Sequence, residues 1–330
     1  MPVRSSKLIT IMSCVCGLNA HSFFVLPAHA QDYPVRPIRL IVPWPPGGGV
    51  DIAARTIGPK LSEYLGQPVV VDNRAGAAGM IGTELAARAP GDGYTILLGA
   101  AGPNAILPVL MPKAPYDALK DFAEVSLFAY TVYVMVVNPS LPARSIKELV
   151  ALAKAKPGQL TIGSSGTATP AHISGELFRV AAAINVVPVF YKGAAAPVIE
   201  VMGGQITMAI ETISPLLPHV KSGKLRALGV TASRRSTQLP DVPTIAESGY
   251  PGFEVINWYG VLAPAGTPRN AITRLHRAMT QLLKLADTSE RLISYGLEVV
   301  DLTPEEFAAF RKADLMKWVK IVKDTNLHYE

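Results

Sequence analysis

Cysteine is nearly absent from this chain: among its 330 residues only Cys14 and Cys16 carry a thiol. Both lie in a leading stretch whose own pattern marks it for removal. Arg4 and Lys7 form a short basic start, a largely apolar run extends from Leu8 to Pro27, and Ala28-His29-Ala30 gives a small-x-small site before Gln31. This is the layout of a secretory signal peptide over residues 1–30, cleaved after Ala30 on export. A membrane anchor is the competing reading, but Asn19, His21 and Ser22 interrupt a run already short of the ~20 apolar residues a span needs. A lipoprotein reading would use Cys14 after Ile11-Met12-Ser13, which leaves almost no apolar core before the cysteine. Cleavage leaves a chain without cysteine, which excludes disulfides and thiolate chemistry.

Other scarcities narrow the function further. Lysine and arginine are scattered, with no run longer than Arg234-Arg235, and two of the +6 formal charges leave with Arg4 and Lys7. Neither a nucleic-acid stripe nor a basic membrane patch is present. The remaining positive balance modestly favours anionic small ligands. No second apolar run approaches membrane-spanning length, and no low-complexity stretch or short repeat occurs. A mature chain of this length exceeds one ordinary core and predicts two domains. A soluble monomer is expected.

What the sequence does contain is a recurring unit: strand, glycine-rich turn, helix. Ile38–Val42 breaks at Pro43-Trp44-Pro45-Pro46-Gly47-Gly48-Gly49 and gives way to a helix with Ala53, Ile57 and Leu61 on one face. Val69-Val70-Val71 leads through Asn73-Arg74-Ala75-Gly76-Ala77-Ala78-Gly79 into another helix. The run Tyr94–Leu98 ends at Gly99-Ala100-Ala101-Gly102-Pro103. After the strand Tyr133–Val137, Ser145 and Glu148 form a capping box. Leu160-Thr161-Ile162 runs into Gly163–Thr169, with Pro170 at the first helical position. Val186–Phe190 runs into Tyr191-Lys192-Gly193 and a helix opened by Pro197. Ile206–Ile210 ends at Glu211-Thr212, before a helix that Ser214-Pro215 can start. Leu225–Val230 and Phe253–Leu262 are further strands. Thr267-Pro268 and Thr303-Pro304-Glu305-Glu306 open two closing helices, the second with Phe307, Phe310, Leu315, Trp318 and Val322 turned inward. Alternating β and α units predict an α/β fold with mostly parallel sheets covered on both faces. Ligands in such sheets bind beyond the carboxyl ends of the strands, where these turns fall.

Catalysis finds no support. The four histidines outside the leader, His172, His219, His276 and His328, lack partners at metal-ligand spacing, and neither H-E-x-x-H nor C-x-x-C occurs. Gly163-Ser164-Ser165-Gly166 is not a G-x-S-x-G elbow, and no glycine cluster is followed by a Walker lysine. No metal or cofactor is expected. Several turns rich in Gly, Ala and Ser each precede a helix, and each offers backbone N–H groups and the positive end of a helix dipole. Loops of this kind facing one another form an anion site without a basic side chain, for carboxylate or phosphate. An ordinary βα turn also favours glycine for backbone reasons alone. Five clusters, with hydroxyls from Ser164, Ser165, Thr167 and Thr169, favour binding.

Over nearly its whole mature length the chain resembles the extracytoplasmic solute-binding proteins of tripartite tricarboxylate transporters, the Bug family. The matching stretches are Pro46-Gly47-Gly48-Gly49-Val50-Asp51, Asn73 to Gly79, Tyr116 to Phe122, Gly163 to His172 with Glu176-Leu177-Phe178, and Tyr191-Lys192-Gly193. Ser222 to Leu228, Leu239 to Thr244 and Ala263 to Pro268 complete the set, and their order is more specific than any one of them. The resemblance implies a periplasmic protein of the two-lobe, type II-like binding-protein fold that closes on a small carboxylate and works with integral membrane permease subunits. The implied crossings between lobes are Tyr133–Val137 and Phe253–Leu262. Residues 31–132 plus 258–330 would then form lobe one, and 133–257 lobe two. The implied ligand-binding residues are Trp44, Pro46, Gly47, Gly48, Asn73, Ala78, Gly99 and Ala101 on one side. On the other they are Ser164, Ser165, Thr167, Ala168, Thr169, His172, Tyr191, Lys192, Gly193 and Glu211.

Two departures from the family pattern stand out. Ile210-Glu211 replaces a usual Phe-Asp, which lengthens the acid by one methylene, and Ala168 replaces a glycine in the serine-rich loop. Several candidates also have quieter readings: His172 as a helix cap or partner of Glu176, Lys192 as a solvated lysine, Asp51 as a cap of its own helix, and Glu211 as a solvated acid. Rival functions are a periplasmic ligand sensor for a signalling system and a hydrolase using Ser165 and His172.

Overall fold

The computed structural model describes residues 33–111, 113–167, 169–191 and 193–325. The signal-peptide reading and the candidates Ala168 and Lys192 lie outside the described residues. Tyr33–Glu330 forms one compact unit by its internal contacts.

The first three strands are β1 (Ile38–Val42), β2 (Val69–Asn73) and β3 (Thr95–Ala100), with helices α1 (Gly49–Leu65) and α2 (Met80–Ala87) between them. A π-helical turn at Gly102–Ile106 and the short α3 (Leu107–Leu110) lead to the long strand β4 (Phe122–Val137). Then come α4 (Ile146–Ala155), β5 (Thr161–Ser164), α5 (Pro170–Ala181), β6 (Val187–Phe190), α6 (Ala195–Met202), β7 (Met208–Thr212), α7 (Ile213–Lys221) and β8 (Arg226–Val230). The chain closes with β9 (Ile256–Pro264), α8 (Arg269–Leu283), α9 (Ala286–Ser294), β10 (Glu298–Leu302) and α10 (Pro304–Thr325).

Strand β4 changes neighbours along its length. From Phe122 to Val132 it pairs with β9, and it also takes β10 as a neighbour near Ala129 and Tyr130. From Tyr133 to Val137 it pairs with β7, and from Val134 with β8. The result is one sheet in the order β2-β1-β3-β9-β4-β10 and a second in the order β8-β4-β7-β5-β6.

The expected mostly parallel sheets are corrected to mixed ones. β1 with β2 and β3, and β5 with β6 and β7, are parallel, as βαβ units require. β4 runs antiparallel to β7, β8, β9 and β10, and β3 runs antiparallel to β9.

Packing follows the sequence periodicity. Ala53, Ile57 and Leu61 of α1 are fully buried against β1, β3 and α8, whose Leu275, Met279 and Leu282 are buried as well. Each large aliphatic side chain so buried stabilises the fold by roughly 1.5–3 kcal/mol. On α10, Phe307 and Trp318 are buried as expected, but Arg311 and Asp314 share their face. Arg311 Nη1 holds Glu124 Oε1 at 2.5 Å and Nη2 the Ala118 carbonyl, while Asp314 Oδ2 accepts Trp258 Nε1–H at 2.9 Å. Among the described residues no helix is long and apolar enough to cross a membrane.

Candidate functional site

Three helix-opening turns of the first sheet are locked together. Gly48 caps α1 in an extended conformation, which leaves the first-turn N–H groups without intrahelical acceptors. Asp51 reaches back across this turn: Oδ2 accepts the Gly47 N–H at 2.9 Å and Oδ1 accepts Asn73 Nδ2–H at 2.9 Å. Asn73 also donates to the Trp44 carbonyl at 3.0 Å and accepts from Arg55 at 3.0 Å. Asn73 therefore ties the end of β2 to the glycine turn. Asp51, 2% exposed, does more than cap its own helix.

The loop after β2 carries four successive positive φ values, Gly76 (138°), Ala77 (45°), Ala78 (52°) and Gly79 (95°). Left-handed alanines cost about 1–2 kcal/mol each, and strain of this kind concentrates where a loop serves a ligand. Ala78 is exposed at its tip. Trp44 packs against this loop, since a Cβ on Gly79 would lie 3.1 Å from Trp44 Cζ2 and 3.2 Å from Pro103 Cγ. Pro103 belongs to the turn after β3, where Gly99 and Ala101 are buried and Pro46, Gly47 and Gly48 of the first turn are exposed.

The second sheet supplies a matching group. Thr169 caps α5 by accepting the His172 N–H at 3.2 Å, and its own hydroxyl donates to the Gly166 carbonyl at 2.8 Å. The Tyr191 and Gly193 N–H groups donate to the carbonyls of Ser164 and Ser165, both at 3.0 Å, which joins the turns after β5 and β6. Ser164 is buried, Ser165 half-buried and Thr167 exposed. The His172 ring stands edge-on to Phe190 at 4.7 Å, and burial lowers its pKa against the opposing pull of Glu176. With Ser164, Ala171, Gly175 and Glu176 it lines a hollow of only about 10 Å³.

Glu211 ends β7 with 1% exposure. Burial pushes its carboxyl up to about 7, against hydrogen bonds from Ser165 and the Thr212 N–H that favour the ionised form. Among the described residues Oε1 has no hydrogen-bond partner. Burial above all, then Tyr259 and the charge of Glu211, holds the Tyr133 phenol far above its usual pKa. Tyr259 is likewise pushed by burial up to about 12. A Cβ on Gly49 would meet the Tyr259 hydroxyl at 3.4 Å. The start of α1 thus abuts Tyr259, and Tyr259 and Glu211 both act electrostatically on Tyr133.

Tyr133, Tyr259 and Asn104 are the residues sequence reading missed. The tyrosines sit in apolar strands and read as core. Asn104, 1% exposed with Nδ2 unpartnered, was signalled only by being polar inside an apolar stretch. Roomier hollows lie elsewhere, and two of them suit an anion poorly. One of 690 Å³ is lined by Asp117 and Asp121, and one of 470 Å³ by Leu177, Phe253, Ile321 and Glu254. Among the described residues no group of three His, Cys, Asp or Glu side chains could hold a metal ion.

Two α/β sheets that share the strand β4, each with helix-opening turns after its parallel strands, are the architecture of a periplasmic binding protein of the two-lobe kind. The chain belongs to the tripartite tricarboxylate transporter receptor family, whose profile it matches over residues 53–327. It is 41% identical to Protein BugT of Bordetella pertussis, with 98% of this chain and 97% of that protein aligned. A solved R. palustris protein with adipate shares 33% identity over 90% of this chain and 99% of its own, with a TM-score of 0.79. MatC from Rhodopseudomonas palustris, solved with bound malate, shares 28% identity over 88% of this chain and 100% of its own, with a TM-score of 0.75.

Proposed function

We propose that this solute receptor binds a small carboxylate, aliphatic or aromatic, between two lobes in the periplasm and delivers it to permease subunits in the membrane. Residues 31–132 plus 258–330 form one lobe and 133–257 the other. The observation that carries this reading is that each sheet bears its own linked group of helix-opening turns, Gly47–Asp51 with Asn73–Gly79 and Gly163–Thr169 with Tyr191–Gly193. Backbone N–H groups, hydroxyls and helix dipoles then hold the anion without a basic side chain. The adipate and malate carried by relatives support the ligand class. Pro46, Gly48, Ala78, Gly99 and Ala101 shape one wall. Ser165, Thr167, Thr169 and Glu211 shape the other. Binding, rather than turnover, is the activity.

A thermal-shift screen of aliphatic, aromatic and amino-acid carboxylates tests this: at a hundredfold excess over Kd, a ligand adds about 2.7 kcal/mol of stability. Failure of every carboxylate to stabilise the chain overturns the proposal. Mass spectrometry of periplasmic protein is expected to show a chain starting at Gln31.

A further inference from the structure

The cleft offers two opposite kinds of partner. Its turns present donors, which suit a carboxylate. Glu211 presents the reverse: a carboxyl with 1% exposure whose Oε1 meets no donor among the described residues. An unsatisfied oxygen so deeply buried is costly unless something arrives to complete it.

The protein's own described cations do not supply that partner. Of the two cations that could neutralise Glu211, Lys192 lies outside the described residues, and Arg74 is bound to Asp72 with Nε 3.0 Å from Oδ1. Arg55 is bound to Asp51 at 2.9 Å and Arg39 to Asp72 at 2.5 Å. Among the described residues, the side chains that interact with Glu211 are uncharged: Ser165 from the loop after β5, by hydrogen bond, and Tyr133 from β4. A ligand bearing only carboxylates would bring like charge to this acid. A ligand hydroxyl would fill the lone pair but leave the negative charge uncompensated. An ammonium does both, because it donates to Oε1 and cancels the charge.

We infer that the ligand is a carboxylate that also carries an ammonium group, with its carboxylate on the helix-opening turns and its N–H donating to Glu211 Oε1. The inference rests on the carboxylate-receptor reading above and narrows it. Glu211 then determines specificity by charge, rejecting dianions and accepting zwitterions. The raised pKa of its carboxyl in the empty site is a cost of burial that the bound cation removes.

Matched pairs of ligands decide it, by calorimetry on the purified mature chain: aspartate with succinate, glutamate with glutarate, alanine with propionate, phenylalanine with 3-phenylpropionate. The amine-bearing member of at least one pair is expected to bind more tightly by about 10- to 100-fold, the value of one hydrogen bond to a charged group. Its affinity is expected to rise from pH 6 to pH 8 as Glu211 ionises. Glu211→Gln is expected to abolish that preference and to leave the amine-free member equal or tighter. The inference is overturned if every pair that binds favours its amine-free member in the parent, or if Glu211→Gln leaves the preference intact. Binding of amine-free acids alone would sink this inference and keep the carboxylate receptor, whereas binding of no member would sink both. If Glu211→Gln does not fold, the paired affinities and the pH series of the parent still decide.

Discussion

Asp51 Oδ2 accepts the N–H of Gly47 at 2.9 Å, and this bond decides what the glycine turn has left to offer. The Gly47 donor is spent within the turn, so the first N–H groups of α1 are the ones free to meet an anion. Burial acts to raise the Asp51 pKa, but hydrogen bonds from Arg55, Gly47 and Asn73 outweigh it and hold the carboxyl below its usual range. Asp51→Ala leaves the Gly47 N–H and Asn73 Nδ2 without this acceptor and is expected to cost roughly 1–3 kcal/mol, measured by urea denaturation. A depressed carboxylate stabilises above its unfolded pKa and loses that contribution as pH falls through its folded one. The difference between parent and variant therefore shrinks in acid.

Gly79→Ala is expected to destabilise the chain by roughly 1–3 kcal/mol. Its φ of 95° disfavours a side chain, and the new Cβ would crowd Trp44 at 3.1 Å and Pro103 at 3.2 Å. Because those residues join two of the turns, carboxylate affinity falls as well. Chemical denaturation and calorimetry on the same variant report the two effects separately.

Ser165→Ala and Thr167→Ala are each expected to weaken carboxylate binding by roughly 0.5–3 kcal/mol. Ser165 gives the larger loss, since it is half-buried and bonded to Glu211, whereas Thr167 is exposed. Parent-like affinity in both variants would make the serine turn purely structural.

Glu211→Gln changes the stability of the empty protein with a definite sign. The folded carboxyl is raised to about 7 from an ordinary 4.5, so its contribution is fully present below pH 4.5 and is lost as pH rises through 7. The glutamine variant is expected to gain up to about 3 kcal/mol over the parent at pH 8. It should gain nothing near pH 4. Melting curves across that range check this.

Much of the architecture was legible because it is local. The capping pair Thr303 and Glu306 forms as read, with Thr303 N–H donating to Glu306 at 2.9 Å. Pro170 opens α5 behind its Thr169 cap. Ile57 and Leu61 face inward because helical period puts them there. What escaped depends on distant partners. The first half of β4, containing Glu124, Ser126 and Thr131, lacks a clean strand pattern and is fixed by pairing with β9. α9 and β10 were not foreseen, and β10 takes its place by pairing with β4. Helix starts moved by one or two residues where proline was read as the opening, as with Pro197 inside α6. At the site the turns were readable, but Asp51 as a clasp and Tyr133 beside Glu211 were not. Both require knowing which residues from separate elements meet.

The shared strand β4 also sets the order in which this protein can be assembled. Its first half must wait for β9, which the chain supplies only after the whole second sheet has been laid down. Contacts of such long sequence separation carry a loop-closure cost before they return any stability, which slows folding. Neither sheet can be completed from the amino-terminal half alone. The first sheet therefore closes only once the last third of the chain is available, even though its first three strands are the earliest to be made.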